Sequence, residues 1–430
     1  MTSRLLLRGG CVLALGTKGS NLAEGDVLIE DDRIAEVGRG LRPRDAEVVD
    51  ATDTIVMPGF VDTHRHAWTS LFRNLGDAGG DARAAAAFRD HYGPDDAYAA
   101  TLIGLLGAAE AGITTVVDWC DLPLDDATAD AVLRAHADSG IRTVISPAPP
   151  EPHSRRLLTR LLDGAGLATS IALGSGHADL DRLANDWALA RELGLRIHAH
   201  AGPEAPRPGW IASLGARGLL GEDVTLVHHA VDDADLAAIA ASGASVSLAP
   251  SSEMATGHGA PPIQELMDRD VRPGLGVDLE CMAPGDMFAQ MRQTISLQHA
   301  TVFDRKLMGK GSLPRLMSTR DVIRYATREG ARVAGLGDVT GRLEPGMQAD
   351  LIVLRTDRPN IWPINDPIGA VVWGMDTSNV ERVLVGGKLV LRDGALTADV
   401  ADARTIATEA RERVAAAAGL AVGVGSGAGR

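Results

Sequence analysis

Hydrophobic positions fall into two regimes along the chain. Over the first 56 residues, short β-like runs (Leu5 to Leu7, Asp26 to Glu30, Arg33 to Val37, Glu47 to Asp50) are separated by Gly and Asp pairs, the texture of a strand-and-turn module. The same texture returns in Ala349 to Leu354 and Val380 to Leu391, where Gly386-Gly387 stands between two β-branched runs as a hairpin turn requires. These distant stretches are predicted to share one small sheet. Between them lie eight apolar, β-rich runs: Val56 to Asp62, Thr114 to Trp119, Arg142 to Ser146, Ser170 to Leu173, Leu195 to His200, Val224 to Val231, Ala244 to Leu248 and Pro273 to Asp278. Ala/Leu-rich segments such as Asp125 to Ser139, Leu180 to Leu193 and Asp232 to Ser242 separate them. They have the length of crossover helices, so the pattern is βα repeated. Eight such units favour a closed (β/α)8 TIM barrel over an open sheet, and no G-x-G-x-x-G or P-loop signature supports the open form. Beyond the barrel, Asp286 to Ala300 and Ser318 to Leu336 read as helices, and an Ala/Arg/Glu helix from about Ala401 runs into a glycine-rich tail expected to fray.

At 430 residues the chain exceeds one ordinary core, which fits a large α/β domain with a smaller appendage. Composition narrows the ligand. A net charge of -15 repels phosphate backbones and anionic lipid, and aromatics at 3% with scattered basic residues give no stacking platform. The expected partner is therefore a small molecule, with neither nucleic acid nor membrane. Cys11, Cys120 and Cys281 form no CxxC pair and no disulfide framework. Leu5-Leu6-Leu7 is broken at once by Arg8-Gly9-Gly10 and no apolar run spans a bilayer, so a cytoplasmic setting is expected.

Candidate chemistry begins at His64 and His66. Side chains two apart on a strand share a face, so both imidazoles can point toward the barrel axis at the mouth of the first strand. An H-x-H taken alone reads equally well as two packing histidines. Further ligand-type residues stand at the ends of later runs, His200 on the fifth, His228 on the sixth and Asp278 on the eighth, and a barrel brings these ends to one rim. Imidazoles with a carboxylate suit a borderline divalent metal, with zinc expected and iron or manganese as alternatives. Such an ion acidifies a water and makes a hydroxide nucleophile near neutral pH.

Pro58-Gly59-Phe60-Val61-Asp62-Thr63-His64-Arg65-His66, Ala111-Gly112-Ile113-Thr114-Thr115, Leu226-Val227-His228, Gly274-Leu275-Gly276-Val277-Asp278 and Gly346-Met347-Gln348-Ala349-Asp350-Leu351 together resemble the amidohydrolase superfamily. The nearest branch holds cytosine-deaminase-like, aminohydrolase and triazine-hydrolase enzymes. The resemblance covers about residues 3 to 397. It implies a mononuclear site with His64, His66, His200 and Asp278 on the metal, Asp278 also taking the proton of the attacking water, and His228 polarising the substrate. It implies a β-sandwich made of 1–56 and 344–397 beside a barrel of 57–343, with 398–430 as the terminal helix and tail, and a homodimer by analogy. Deaminases of this branch usually carry a glutamate three residues after the strand-five histidine. Here that position is Pro203, with Glu204 next to it as the candidate catalytic replacement. Thr69 also stands where related sequences often place a substrate-contacting Gln. The run Pro250 to Gly259 resembles a subgroup in which Glu253 and a Gly-His-Gly around His258 replace the usual ending after strand seven.

Trp68, Phe72, His228, Glu253 and His258 are the candidate substrate-binding residues, although aromatics above a barrel often only seal the core. His198, one layer below His200, reads first as a hydrogen-bonded core histidine, and Asp118 and Asp121 as caps. His229, beside His228, points to the opposite face. The expected function is metal-dependent hydrolysis at an electron-poor carbon of a small nitrogen compound, releasing ammonia or an amine. The alternatives are a different leaving group (chloride, thiolate or amide nitrogen), favoured by Pro203, and a non-catalytic scaffold.

Overall fold

A computed structural model of the chain describes residues 3–16, 21–74, 87–148, 154–176, 179–201, 208–228 and 232–419. The terminal regions supply strands β1 (Arg4–Val12), β2 (Leu22–Glu30), β3 (Arg33–Gly38), β4 (Glu47–Asp50) and β5 (Thr54–Pro58). The barrel strands are β6 (Phe60–Arg65), β7 (Ile113–Cys120), β8 (Arg142–Pro147), β9 (Thr169–Ser175), β10 (Arg196–His200), β11 (Val224–Val227), β12 (Ser245–Leu248) and β13 (Gly274–Leu275). The chain returns to the terminal module with β14 (Leu351–Arg355), β15 (Val380–Val385), β16 (Lys388–Arg392) and β17 (Ala395–Leu396).

Strands β6 to β13 are hydrogen-bonded in sequence order and run parallel. Each of the eight apolar runs overlaps one of these strands, in the same order. Parallel strands flanked by helices are buried on both faces, which is why they read as continuous apolar stretches; β7 is buried at every position. Acidic and hydroxyl residues start the surrounding helices: Asp125 accepts from Thr128 N, Ser154 from Leu157 N, Asp232 from Asp235 N and Asp286 from Ala289 N.

The nine terminal strands form one path, β17-β16-β15-β14-β5-β1-β2-β3, with β4 on the side of β1. They enclose their own core, in which Leu7, Val12, Val27, Ile29, Val56, Leu351 and Leu384 meet. Both chain ends thus build one module, and Gly386 and Gly387, with φ of 52° and 72°, make the β15–β16 turn. The module is pinned to the barrel by a buried ion pair, Arg142 Nε to Asp350 Oδ2 at 2.7 Å.

Two runs differ from their expected form. Val56 to Asp62, expected as one barrel strand, is divided at Gly59: β5 joins the terminal sheet and β6 the barrel. A Cβ at Gly59 would lie 2.1 Å from the Thr114 side chain, so the crossing of the two sheets needs glycine here. Ser318 to Leu336 is two helices, Thr319–Tyr325 and Arg328–Val333, broken at Thr327. The break turns Ala331 and Ala334 onto Val61, Val117, Val144 and Ala172, and the second helix fills the barrel interior from below. No described helix is long and apolar enough to cross a membrane.

Candidate metal centre

His64 lies near the end of β6 and His66 just beyond it; His200 ends β10, His228 directly follows β11, and Asp278 lies three residues past β13. All five therefore meet on the rim at the C-terminal ends of the strands. The barrel also closes here. Asp278 N donates to His64 O (2.8 Å) and His66 N to Asp278 O (3.1 Å), joining the first strand to the last through the site itself. Gly276 permits this approach, since a Cβ there would sit 2.8 Å from His64 O. Asp62 Oδ1 fastens both sides by accepting from His64 N (3.2 Å) and Val277 N (3.0 Å). Arg65, fully buried, binds Asp62 and Glu280 behind them at 2.7 and 3.0 Å.

The side chains converge on a small volume. His64 Nε2 is 3.1 Å from His200 Nε2 and 3.4 Å from Asp278 Oδ1, and His66 Nε2 is 3.3 Å from the same carboxylate oxygen. His228 Nε2 faces Asp278 Oδ2 at 4.0 Å. Ligand atoms of His64, His66 and His200, and again of His64, His228 and Asp278, all lie within 4.8 Å of one another. Behind this layer, His66 Nδ1 meets Asp121 Oδ1 at 3.2 Å, and Trp68 Nε1 donates to the same oxygen at 2.6 Å. Ser252 Oγ donates to Asp278 Oδ2 at 2.5 Å, and His228 Nδ1 meets Glu253 Oε1 at 3.3 Å. Trp119 stacks on His200, ring centroids 3.9 Å apart and planes within 7°.

Electrostatics favour a cation. Burial lowers His64 to about 4 and takes His200 well below the usual histidine range, which keeps both rings neutral with a lone pair to share. Burial opposes charge on His66 as well, but the carboxylates of Asp121 and Asp278 outweigh it and raise this ring to about 10, so positive charge is stabilised between them. Burial would raise Asp278; hydrogen bonds from His64 and His66 override it and hold the carboxyl well below its ordinary range. Nitrogen and carboxylate donors of this kind, gathered around a place that stabilises positive charge, fit a divalent ion of the zinc type. His228 and Asp278 also have φ of 68° and 64°, left-handed values rare outside glycine. Such strain costs about 1–3 kcal/mol per residue and concentrates at functional sites.

His64, His66, His200, His228 and Asp278 are thus brought together as expected. Trp68 lines up behind His66, and the His258 ring lies 5.0 Å from His228. Phe72, read equally as a substrate wall or as a seal on the core, is 4% exposed and stacked on Phe88 at 3.7 Å, which favours the seal. Glu253, also expected at the substrate, is fully buried beneath His228 and engages its Nδ1. Glu204, Pro203 and His229 lie outside the described residues. Asp118, expected as a cap, accepts from Ala67 N at the start of the short helix after His66 (2.9 Å) and also pairs with His136 (3.0 Å). His198 is the expected hydrogen-bonded core histidine, 3.3 Å from Ser146 Oγ. Asp121 departs from its expected role as a cap and stands behind His66. Trp119 and Ser252 carry no chemical signal in the sequence beyond position, Trp119 near the end of β7 and Ser252 in the short helix that follows β12.

The model of the amidohydrolase family matches residues 55–390. A 5-methylthioadenosine/S-adenosylhomocysteine deaminase of Symbiobacterium thermophilum is 31% identical over 432 residues, covering 91% of this chain and 94% of that protein. A 5'-deoxyadenosine deaminase of Methanothermobacter thermautotrophicus is 29% identical over 425 residues, with 91% and 94% covered. Among solved structures, a mutant atrazine chlorohydrolase from Arthrobacter aurescens TC1 complexed with zinc and atraton aligns with a TM-score of 0.82 at 21% identity, over 95% of this chain and 100% of that one. An adenosine deaminase from Xanthomonas campestris with bound zinc gives 0.81 at 20%, over 96% and 99%.

Proposed function

The chain belongs to the amidohydrolase family and is a hydrolase acting on carbon–nitrogen bonds, and on that premise we propose that it deaminates adenosines modified at the 5′ position, using one zinc ion held by His64, His66, His200 and Asp278. The observation that carries this reading is the convergence of three imidazole Nε2 atoms and Asp278 Oδ1 on one rim, with His228 Nε2 on the far side of the same carboxylate. The substrate class follows the relatives, whose names specify 5′-deoxyadenosine, methylthioadenosine and S-adenosylhomocysteine.

When bound, a divalent ion brings the pKa of a water it holds toward neutrality and so supplies the nucleophile. The chain's residues do the remaining work. Asp278, kept ionised by its neighbours, takes the proton released as water adds to the amino-bearing ring carbon. It returns that proton to the departing amine, so ammonia leaves and the oxygen stays on the ring. His228 stands where charge builds up on the ring during attack and stabilises it there. Burial of His64, Asp278 and His228, each under a tenth exposed, keeps bulk water from the reacting atoms.

Pro203, in the place of the proton-shuttling glutamate usual in this branch, supports a second reading in which chloride, thiolate or an amide nitrogen leaves. Chloride and thiolate leave as anions and need less help from a proton donor than an amine does. The zinc-loaded enzyme incubated with 5′-deoxyadenosine, methylthioadenosine, S-adenosylhomocysteine and adenosine is expected to release ammonia and form the matching inosine from at least one. No ammonia from any of them, with turnover of a halo- or thio-heterocycle, would replace the first reading by the second.

A further inference from the structure

Of the five residues gathered on the rim, Asp278 and His228 are the two with left-handed backbones, a conformation shared by nine non-glycine residues among those described. Neither conformation persists unless its surroundings hold it. Main-chain bonds hold the two backbones, Asp278 N to His64 O at 2.8 Å and His228 N to Ser247 O at 3.0 Å, while the short helix Pro250–Thr256, which follows β12, engages both side chains from adjacent positions. Ser252 Oγ donates to Asp278 Oδ2 at 2.5 Å, and Glu253 Oε1 engages His228 Nδ1 at 3.3 Å. Both side chains are fully buried.

The helix is itself fixed at its base. Glu253 Oε1 also accepts from Ala249 N at 2.9 Å, closing the helix start over its own carboxylate. Ser251 donates through its backbone N–H to Gln290 Oε1 (3.3 Å) and through its hydroxyl to Gln293 Oε1 (2.7 Å), both on the long helix Met287–Leu307. A rigid support of this kind positions a site residue better than a loop does.

We propose that Ser252 and Glu253 form a two-pronged positioning clamp: Ser252 sets the orientation of the Asp278 carboxylate, and Glu253 binds Nδ1 of His228 so that Nε2 is the nitrogen presented to substrate. The proposal rests on the roles given to Asp278 and His228 above. It makes Glu253 a positioning residue, acting through His228 rather than touching substrate. Outer partners of this type change activity by about 10- to 100-fold when removed. The hydrogen bonds of Glu253 to His228 Nδ1 and Ala249 N act on the substrate-directed histidine, so its replacement is expected to leave the metal in place.

The test uses full-length zinc-loaded enzyme labelled with 15N-histidine, as wild type, Glu253→Gln and Ser252→Ala. The His228 ring signals, assigned by their loss in His228→Asn, report the Nδ1–H bond to a carboxylate independently of turnover. Glu253→Gln is expected to move the Nδ1–H resonance, to lower kcat about 10- to 100-fold with KM changed by less than about threefold, and to retain wild-type zinc. Ser252→Ala is expected to lower kcat about tenfold while leaving the His228 signal where it is. An unmoved His228 signal with wild-type kcat in Glu253→Gln overturns the clamp, as does an activity loss that only tracks lost zinc or lost folding. Should Glu253→Gln fail to fold, Ser252→Ala decides, and wild-type kcat there overturns the proposal. If no nucleoside is turned over, the substrate reading has failed, yet the ring signals still test the clamp.

Discussion

Asp121 separates structural from metal-directed roles most cleanly. Its Oδ1 serves two neighbours at once, accepting from Trp68 Nε1 at 2.6 Å and facing His66 Nδ1 at 3.2 Å. Replacement by Asn keeps an oxygen for the indole but removes the charge that makes His66 a better donor. Carboxylates behind metal-binding histidines contribute about 10- to 100-fold to affinity, or about 1.4–2.7 kcal/mol. Replacement by Ala removes both partners and also leaves the Trp68 indole, 3% exposed, without its acceptor, at a further cost of about 1–3 kcal/mol in stability. Asp121→Asn should therefore bind zinc at least about tenfold more weakly, with thermal stability of the metal-free protein near wild type. Asp121→Ala should lose both. Zinc affinity is read by competition with a chromogenic chelator, and stability by thermal unfolding after chelation. Wild-type zinc affinity in Asp121→Asn would refute the argument that Asp121 acts on the metal through His66.

Elemental analysis of wild type beside His66→Ala and Asp278→Ala should find about one zinc per chain, lost in both variants, because a mononuclear site cannot spare a ligand; metal retained in Asp278→Ala would remove that residue from the set. Asp350→Ala removes the buried carboxylate partner of Arg142 at 2.7 Å and leaves its charge facing the neutral Gln348 Oε1 at 2.9 Å, and should lower the unfolding free energy by about 3–5 kcal/mol in urea denaturation while the folded enzyme keeps its kcat/KM. Gly276→Ala places a methyl 2.8 Å from His64 O and 3.0 Å from its Cβ, so it should impair zinc binding and activity more than thermal stability. Equal loss of both would mean that the barrel seam, rather than the site, absorbs the strain.

The inner layer of the site was legible because its chemistry demands uncommon residue types at predictable places. Parallel strands buried on both sides leave apolar runs, and a histidine or aspartate closing such a run lands on the rim of a barrel. His64, His66, His200, His228 and Asp278 all carry that mark. The layer behind them carries none. Asp121, Ser252 and Glu253 are residue types that equally cap helices and loops, and Asp118, three positions before Asp121, does serve as such a fastener. Only the pairing of strand ends distant in sequence, 26 residues between Ser252 and Asp278 and 55 between His66 and Asp121, decides which acid fastens a loop and which supports a ligand. The left-handed backbones of His228 and Asp278 are hidden in the same way: aspartate and histidine tolerate that conformation better than most residues, yet the sequence does not mark which of them adopt it. A sequence therefore displays the candidate ligand atoms sooner than the residues that aim them, because the first set is marked by chemistry and the second by geometry that the fold supplies.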